Sequence, residues 1–435
     1  MNATADTSDQ ADLALAAGTP DDPVGSDNRI VALDFVRGIA VLGILFPNIV
    51  AHGYPFLAYY WPDGLAGGSS AFDRWVWLFQ YVLIDGKLRG LFTLLFGAGV
   101  YLFMERAWAR GATRWLQVRR LLWLALFGLV HFYLIWFGDI LFLYAASGFV
   151  LLAMIGWQAK TQLRIGLVWC IVGALMLALT LGGQAALEML PSVQAQQREA
   201  YVELQRAEAE MLSEAAQTTR VMREGSYGDV VVHRARTESA SLLKTPFIAV
   251  IETIPLMLVG MALYRLGLFA GRFDRARMRR WGWIGFLGGA LLSLPLGLWA
   301  MAAGFPLMLT QFVFNGASQL LHLPMILGLA ALLTLWAPTA SASWLGSRVV
   351  AAGRMAFSNY LGSSVLMMLV FQGWAGVGLY GELHRAGLLL VVLAAWGLML
   401  AWSKPWLAHF RYGPLEWLWR CLTYGRRVPF RRRSA

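Results

Sequence analysis

Long apolar runs constrain this chain more than any other feature. A helix needs about 20 predominantly apolar residues to cross a bilayer. Ten runs meet or approach that length: Ile30 to Val50, Leu88 to Met104, Leu116 to Phe137, Ile140 to Trp157, Leu163 to Gly183, Phe247 to Leu268, Trp281 to Ala302, Leu320 to Trp336, Met355 to Phe371 and Ala386 to Trp402. Only 14% of the residues are charged against 58% hydrophobic, whereas a soluble domain carries about a quarter charged. Lipid offers the backbone no hydrogen bonds, so each span must satisfy its own as a helix. The expected fold class is therefore all-α, a polytopic integral membrane helical bundle of about ten transmembrane helices plus an interfacial helix. That interfacial helix is assigned to Ala71 to Ile84, which is too short and too polar at its start to cross.

The charges between the runs give the orientation. Arg106, Arg110, Arg114, Arg119 and Arg120 crowd one connection, Lys160 and Arg164 a second, and Arg272, Arg275, Arg277, Arg279 and Arg280 a third. These connections are separated by even numbers of spans and share a side with the arginine-rich end of the chain. The positive-inside rule places that side in the cytoplasm. The expectation is thus a multi-pass protein of the bacterial inner (cytoplasmic) membrane with both termini cytoplasmic. The net charge of +11 reads as this orientation signal and not as a nucleic-acid footprint.

The domain plan follows. Residues 1–28 hold six Asp and no Lys or Arg and read as a disordered acidic tail, without the apolar core of a signal peptide. Residues 29–190 supply the first five spans and 245–403 the last five. Between them, 191–244 reads as an extracytoplasmic helical insertion whose mixed charges suit a solvated hairpin. Residues 404–435 form a basic tail interleaved with Trp406, Trp417, Trp419 and Tyr424, suited to the anionic inner leaflet. Cys170 and Cys421 form neither a disulfide framework nor a metal-type spacing. No metal is expected.

Ionisable groups inside a bundle are costly and so are site candidates. Asp34, Arg37, Arg354 and Asn359 gather near the cytoplasmic end. Asp34 and Arg37 share a helix face, so an ion pair competes with ligand binding as their explanation. A second group converges on the outer half: His52, Asp85, Lys87, Arg89, His131, Asp139, Glu252 and His322. Singly, each has a plain structural reading, as a helix cap or a satisfied core histidine. Together they suit a polar cavity in which a His with a neighbouring carboxylate acts as general base and Lys87 or Arg89 holds an anion. The Gly97-Ala98-Gly99 run has no Walker lysine and reads as close helix packing.

The stretch Arg29-Ile-Val-Ala-Leu-Asp34-Phe-Val-Arg37-Gly38, with Gly43-Ile44 and Asn48, resembles the opening of the YeiB-like bacterial membrane proteins, a family carrying a domain of unknown function. The resemblance continues through Asp85-Gly86-Lys87-Leu88-Arg89-Gly90, His131, Gly138-Asp139-Ile140, Gly353-Arg354-Met355 to Tyr360 and Gly413-Pro414-Leu415-Glu416-Trp417. The opening is also similar to that of the transmembrane acyltransferase superfamily that includes heparan glucosaminide N-acetyltransferase: Asp34, Arg37, Gly38 and Asn48 match in order. Where that superfamily places its outer-loop His, this chain has Tyr59 and Tyr60, and His52 stands closer to the span.

The second resemblance implies transfer of an acyl group, with acyl-CoA as donor substrate and no tightly bound cofactor, to an extracytoplasmic or lipid-linked hydroxyl or amine. In that reading His52 or His131 is the base, Asp85 or Asp139 its orienter, and Asp34, Arg37 and Arg354 line the inner donor entry. Asn48, Lys87, Arg89, Glu252 and Asn359 complete the expected substrate-binding set. The alternative is a transporter or exporter of a small polar or amphipathic solute using Glu252 and Asp139. Expected partners are membrane lipids, a small-molecule or lipid-linked substrate, and a second copy of the chain in a homo-oligomer; nucleic acid is not among them.

Overall fold

The computed structural model describes residues 31–64 and 68–432. The expected acidic tail, 1–28, lies outside them. Among the described residues the chain is helical, with one isolated β-bridge between Phe410 and Arg431. Among the described residues eight helices are long and apolar enough to cross a membrane, and two shorter apolar ones accompany them.

The helices that matter here are α1 (Val31–Gly53), α2 (Ala71–Phe79), α3 (Lys87–Trp108), α4 (Trp115–Val130), α5 (Leu141–Met154), α6 (Ala159–Met189), α7 (Arg198–Glu224), α8 (Tyr227–Thr237), α9 (Ser239–Ile248), α10 (Ile254–Leu266), α11 (Arg275–Ala302), α12 (Ser318–Ala340), α13 (Trp344–Arg354), α14 (Ala356–Phe371), α15 (Arg385–His409) and α16 (Pro414–Tyr424). The two shorter crossings expected from the sequence are α5 and α14, of 14 and 16 residues. We call the end that carries the arginine-rich connections the basic end.

Burial separates a centre from a rim. The most apolar window of α1 is 72% buried and that of Ser239–Leu266 67%, whereas α6 reaches only 17%. A helix apolar all round but exposed on most of its surface faces lipid, so α6 belongs to the rim. At the centre, α3 and α10 touch backbone to backbone. A Cβ on Gly97 would lie 2.0 Å from the Met257 carbonyl oxygen, and one on Gly260 1.9 Å from that of Leu94. Small residues are what permit such an approach.

The segment Ala71–Ile84 starts beside the first residue of α15, where the Arg385 backbone N–H donates a hydrogen bond to the Asp73 carboxylate at 2.9 Å. It ends at Asp85 and Gly86, which lie against Tyr59 and His322. Both ends therefore sit at one level, opposite the basic end, and Gly86 at φ +71° turns the chain into α3. Among the described residues four helices widen into π turns: Gln80–Ile84, His131–Ile135, Ala249–Thr253 and Phe312–Ala317. Such turns cost regular hydrogen bonding and collect at functional sites.

The insertion does not project freely. It forms an antiparallel hairpin of α7 and α8 that folds back onto the bundle and buries Met222, Val230 and Arg234. Arg234 donates to the Tyr133 carbonyl at 2.8 Å, the Tyr227 hydroxyl to that of Leu134 at 3.0 Å, and Arg223 pairs with Glu382. Its mixed charge suggested a solvated hairpin because sequence alone does not show which of its polar side chains reach orphan carbonyls at the end of a neighbouring helix.

Candidate functional site

A cavity of about 280 Å³ opens at the basic end between α1, α3, α4, α5, α14 and α16. Its mouth holds Asp34, Arg37, Arg106, Arg120, Arg354, Glu416 and Arg420, five guanidinium groups against two carboxylates. Asp34 takes one contact from Arg37 at 3.0 Å. Glu416 accepts from the amides of Phe357 and Ser358 at 2.8 and 3.1 Å and from the Ser358 hydroxyl at 2.5 Å, so it caps α14 from another helix. Burial pushes the Glu416 carboxyl above its ordinary range, and these hydrogen bonds oppose the shift.

Arg120 is fixed in place. Its guanidinium lies 4.5 Å from the Phe103 ring centre and 4.3 Å from that of Trp419, and the Trp419 indole donates to the Arg120 carbonyl at 2.9 Å. A planar cation clamped between rings is oriented in advance for phosphate or carboxylate. Farther in, the walls turn apolar with Leu95, Phe96, Leu124, Leu141 and Phe357, and the cavity is bounded by Tyr144 and Tyr360.

Next to Tyr360 stands a histidine–aspartate pair. The rings of His131 and Tyr360 are 5.3 Å apart, and the Tyr360 hydroxyl donates to the Gly138 carbonyl at 3.3 Å. His131 Nδ1 is 2.9 Å from Asp139 Oδ1, with both side chains excluded from solvent. The other oxygen of Asp139 accepts from the Phe142 amide at 2.7 Å, capping α5. The carboxylate is thus held on both sides and directs the Nδ1 proton toward itself, leaving Nε2 as the basic nitrogen. His131 Nε2 is buried and makes no hydrogen bond among the described residues. A buried polar atom without a partner is costly, so this nitrogen is a candidate contact for a ligand.

His52 is close by but differently placed. Its ring stacks on Trp136 at 4.0 Å, and Trp136 also meets His131 edge-on at 6.2 Å. Asp85 is not its orienter: Asp85 accepts from the Tyr59 hydroxyl at 2.5 Å. Burial, then the adjoining Asp85 carboxylate, holds the Tyr59 phenol well above its ordinary value. Lys87 is fully buried and donates to the Tyr81 carbonyl at 2.5 Å, so its ammonium is engaged by the protein itself. Arg89 pairs with Glu252 at 2.6 Å; the anion it holds belongs to the protein. His322 rests against Gly86, where a Cβ would lie 2.3 Å from its ring.

The remaining candidates divide. Asp34, Arg37 and Arg354 share the basic mouth. Asn359 does not join them, because its amide is spent on the Ala352 carbonyl, the Ser403 hydroxyl and the Trp402 indole. Asn48 is half-buried on α1, one turn before His52. Sequence reading missed Arg120, Arg420, Glu416, Tyr144 and Tyr360 as cavity residues. For Glu416 a signal existed: a single acid in a strongly basic tail, next to an expected membrane surface, needs a specific partner.

These features define a polytopic helical membrane protein with a histidine–aspartate pair in its interior and an arginine-lined cavity leading toward it. Residues 263–426 match a family model described as "Protein of unknown function (DUF418)". The chain is 32% identical over 409 residues to the uncharacterized protein YeiB of Escherichia coli, covering 91% of this chain and 96% of that one. It is 29% identical over 429 residues to the uncharacterized protein YxaH of Bacillus subtilis, covering 92% and 96%. The chain belongs to this YeiB-like family.

Proposed function

We propose that the protein is an integral membrane acyltransferase that moves an acyl group from acyl-CoA to a hydroxyl or amine. The observation that carries the reading is the unpartnered Nε2 of His131, oriented by Asp139 and separated from the head of the arginine-lined cavity by the Tyr360 ring. The basic end is the cytoplasmic one, in the bacterial inner membrane, so the cavity mouth opens where acyl-CoA is found.

Arg37, Arg120 and Arg420 take the phosphates of the acyl donor at the mouth. Its pantetheine arm lies along Phe96, Leu124 and Phe357, bringing the thioester toward Tyr360. His131 Nε2 removes the proton from the acceptor's O–H or N–H as that atom attacks the thioester carbon. The C–S bond breaks, and the imidazolium returns the proton to the leaving CoA thiolate. Asp139 stabilises the imidazolium between these steps.

The test is transfer of label from acyl-CoA by purified protein in liposomes containing membrane extract, with thermal stabilisation by CoA. Transfer together with a thermal shift supports the reading; neither, over a range of acyl lengths, contradicts it. A second reading, a solute exporter, is favoured by the Arg89–Glu252 pair. It lies within the bundle yet keeps 34% and 24% of its side-chain surface accessible, so it faces open space, as a coupling pair would. Loss of pH-dependent uptake in Glu252→Gln, with transfer never detected, selects that reading.

A further inference from the structure

A second, smaller pocket lies between α6, the π turn at Ala249–Thr253 and α12. Its walls are Ala174, Leu177, Ile251, Leu256, Leu323 and Ile326; its polar lining is Gln319, His322, Glu252, Cys170 and the Gly86 backbone, and it is open on one side. Its lining residues Cys170 and Leu177 on α6 and Gln319 and Leu323 on α12 are themselves partly exposed, and both helices are long and apolar enough to cross a membrane. The opening is therefore a gap between two such helices, in the side wall of the bundle and away from the basic mouth.

The polar lining is built. His322 is only 3% exposed, and its Nε2 makes no hydrogen bond among the described residues. Its ring occupies the space beside Gly86 that any side chain there would need. Glu252 reaches the pocket while paired to Arg89. One turn along α3 from Arg89, the Thr93 hydroxyl bonds that of Tyr144 at 2.6 Å, and Tyr144 lines the main cavity. Two polar contacts thus separate the side pocket from the head of the arginine-lined cavity.

An apolar recess opening to lipid, ending in a buried unpartnered imidazole and a carboxylate, fits a molecule with a hydrocarbon body and one hydrogen-donating head. We propose that the acceptor reaches the site through this side pocket, and that it is a membrane lipid bearing a free hydroxyl or amine whose head is received by His322 and Glu252. This rests on the acyl-transfer reading and narrows its acceptor to a lipid-borne one.

The test uses two photoactivatable probes in proteoliposomes, a diazirine-bearing long-chain alcohol and its methyl ether, with crosslinks mapped by peptide. The alcohol is expected to label residues 170–177 and 319–326 about five-fold more than the ether, since the ether lacks the donor that His322 needs. His322→Phe should erase that preference, and Ala174→Phe should block labelling, while crosslinks around Leu291 and Leu292 on the rim helix α11 stay unchanged. Equal labelling by both probes, or labelling indifferent to both variants, overturns the proposal. The two readings fail separately. If transfer occurs only to water-soluble acceptors and the pocket is not labelled, the lipid acceptor is wrong and acyl transfer stands. If His131→Ala and wild type label alike with the alcohol preference intact and neither transfers acyl groups, the lipid site stands and acyl transfer falls.

Discussion

Gly128 is pressed against Asp139 so closely that a Cβ there would stand 2.8 Å from Asp139 Oδ2 and 2.4 Å from the Phe142 amide nitrogen. A glycine on α4 therefore sets how near the start of α5 can come, and with it the 2.9 Å contact between His131 and Asp139. Neither neighbour is the loose end of a flexible side chain, so the cost of adding a methyl falls on the pair itself.

The Gly128→Ala variant is accordingly expected to bind CoA as wild type does and to transfer acyl groups on the order of 100-fold more slowly, the scale of loss from a displacement of about 1 Å at a reacting group. Steady-state transfer and CoA-induced thermal shift, measured together, check this. An unchanged rate in a folded variant would mean that the His131–Asp139 spacing does not matter.

Arg120 gives the complementary result. Its clamp between Phe103 and Trp419 is remote from the His–Asp pair, so Arg120→Ala should weaken CoA binding roughly 10- to 100-fold, the range for hydrogen bonds to charged groups. The rate at saturating acyl donor should hardly change. Arg120→Lys should restore little, because an ammonium neither stacks nor forks. Titration of the thermal shift with CoA reads both variants.

Glu416 carries a pH dependence with a definite sign. Burial raises its folded-state pKa above the unfolded value, so the folded protein binds more protons. Its contribution to stability is present below the unfolded carboxylate pKa of about 4.3 and is lost as pH rises through the raised folded value. Glu416→Gln keeps an oxygen for the Phe357 and Ser358 amides but cannot ionise. The difference in melting temperature, wild type minus variant, should fall as pH rises from the acid side toward neutrality; a difference that rises or stays flat contradicts the assignment.

How far the sequence could be read is set by which interactions are local. The spans follow from apolar length, a property of contiguous residues, and the helical bundle follows from them. His131 and Asp139, eight residues apart, could be named as candidates because both are costly in lipid. That they pair with each other, while Asp85 turns to Tyr59, depends on the π turn at His131–Ile135 and on Gly128, neither of which has a sequence signature. The arginines of the cavity mouth were visible as an orientation signal, and that role concealed a second one. Arg120 and Arg420 come from distant segments joined only when the indole of Trp419 on α16 bonds to α4. The docking of the α7–α8 hairpin was out of reach for the same reason: Arg234 finds its carbonyl at Tyr133, about a hundred residues away.

The most direct test of the central claim, that His131 Nε2 is the base that receives the acceptor's proton, is single-turnover transfer from labelled acyl-CoA in proteoliposomes, comparing wild type with His131→Gln. The substituted amide preserves bulk and a donor toward Asp139 but has no basic nitrogen. The expected result is an equal thermal shift with CoA and a chemical step slower by about 100-fold or more, the lower range for loss of general base catalysis. A His131→Gln variant that transfers at the wild-type rate would contradict the account.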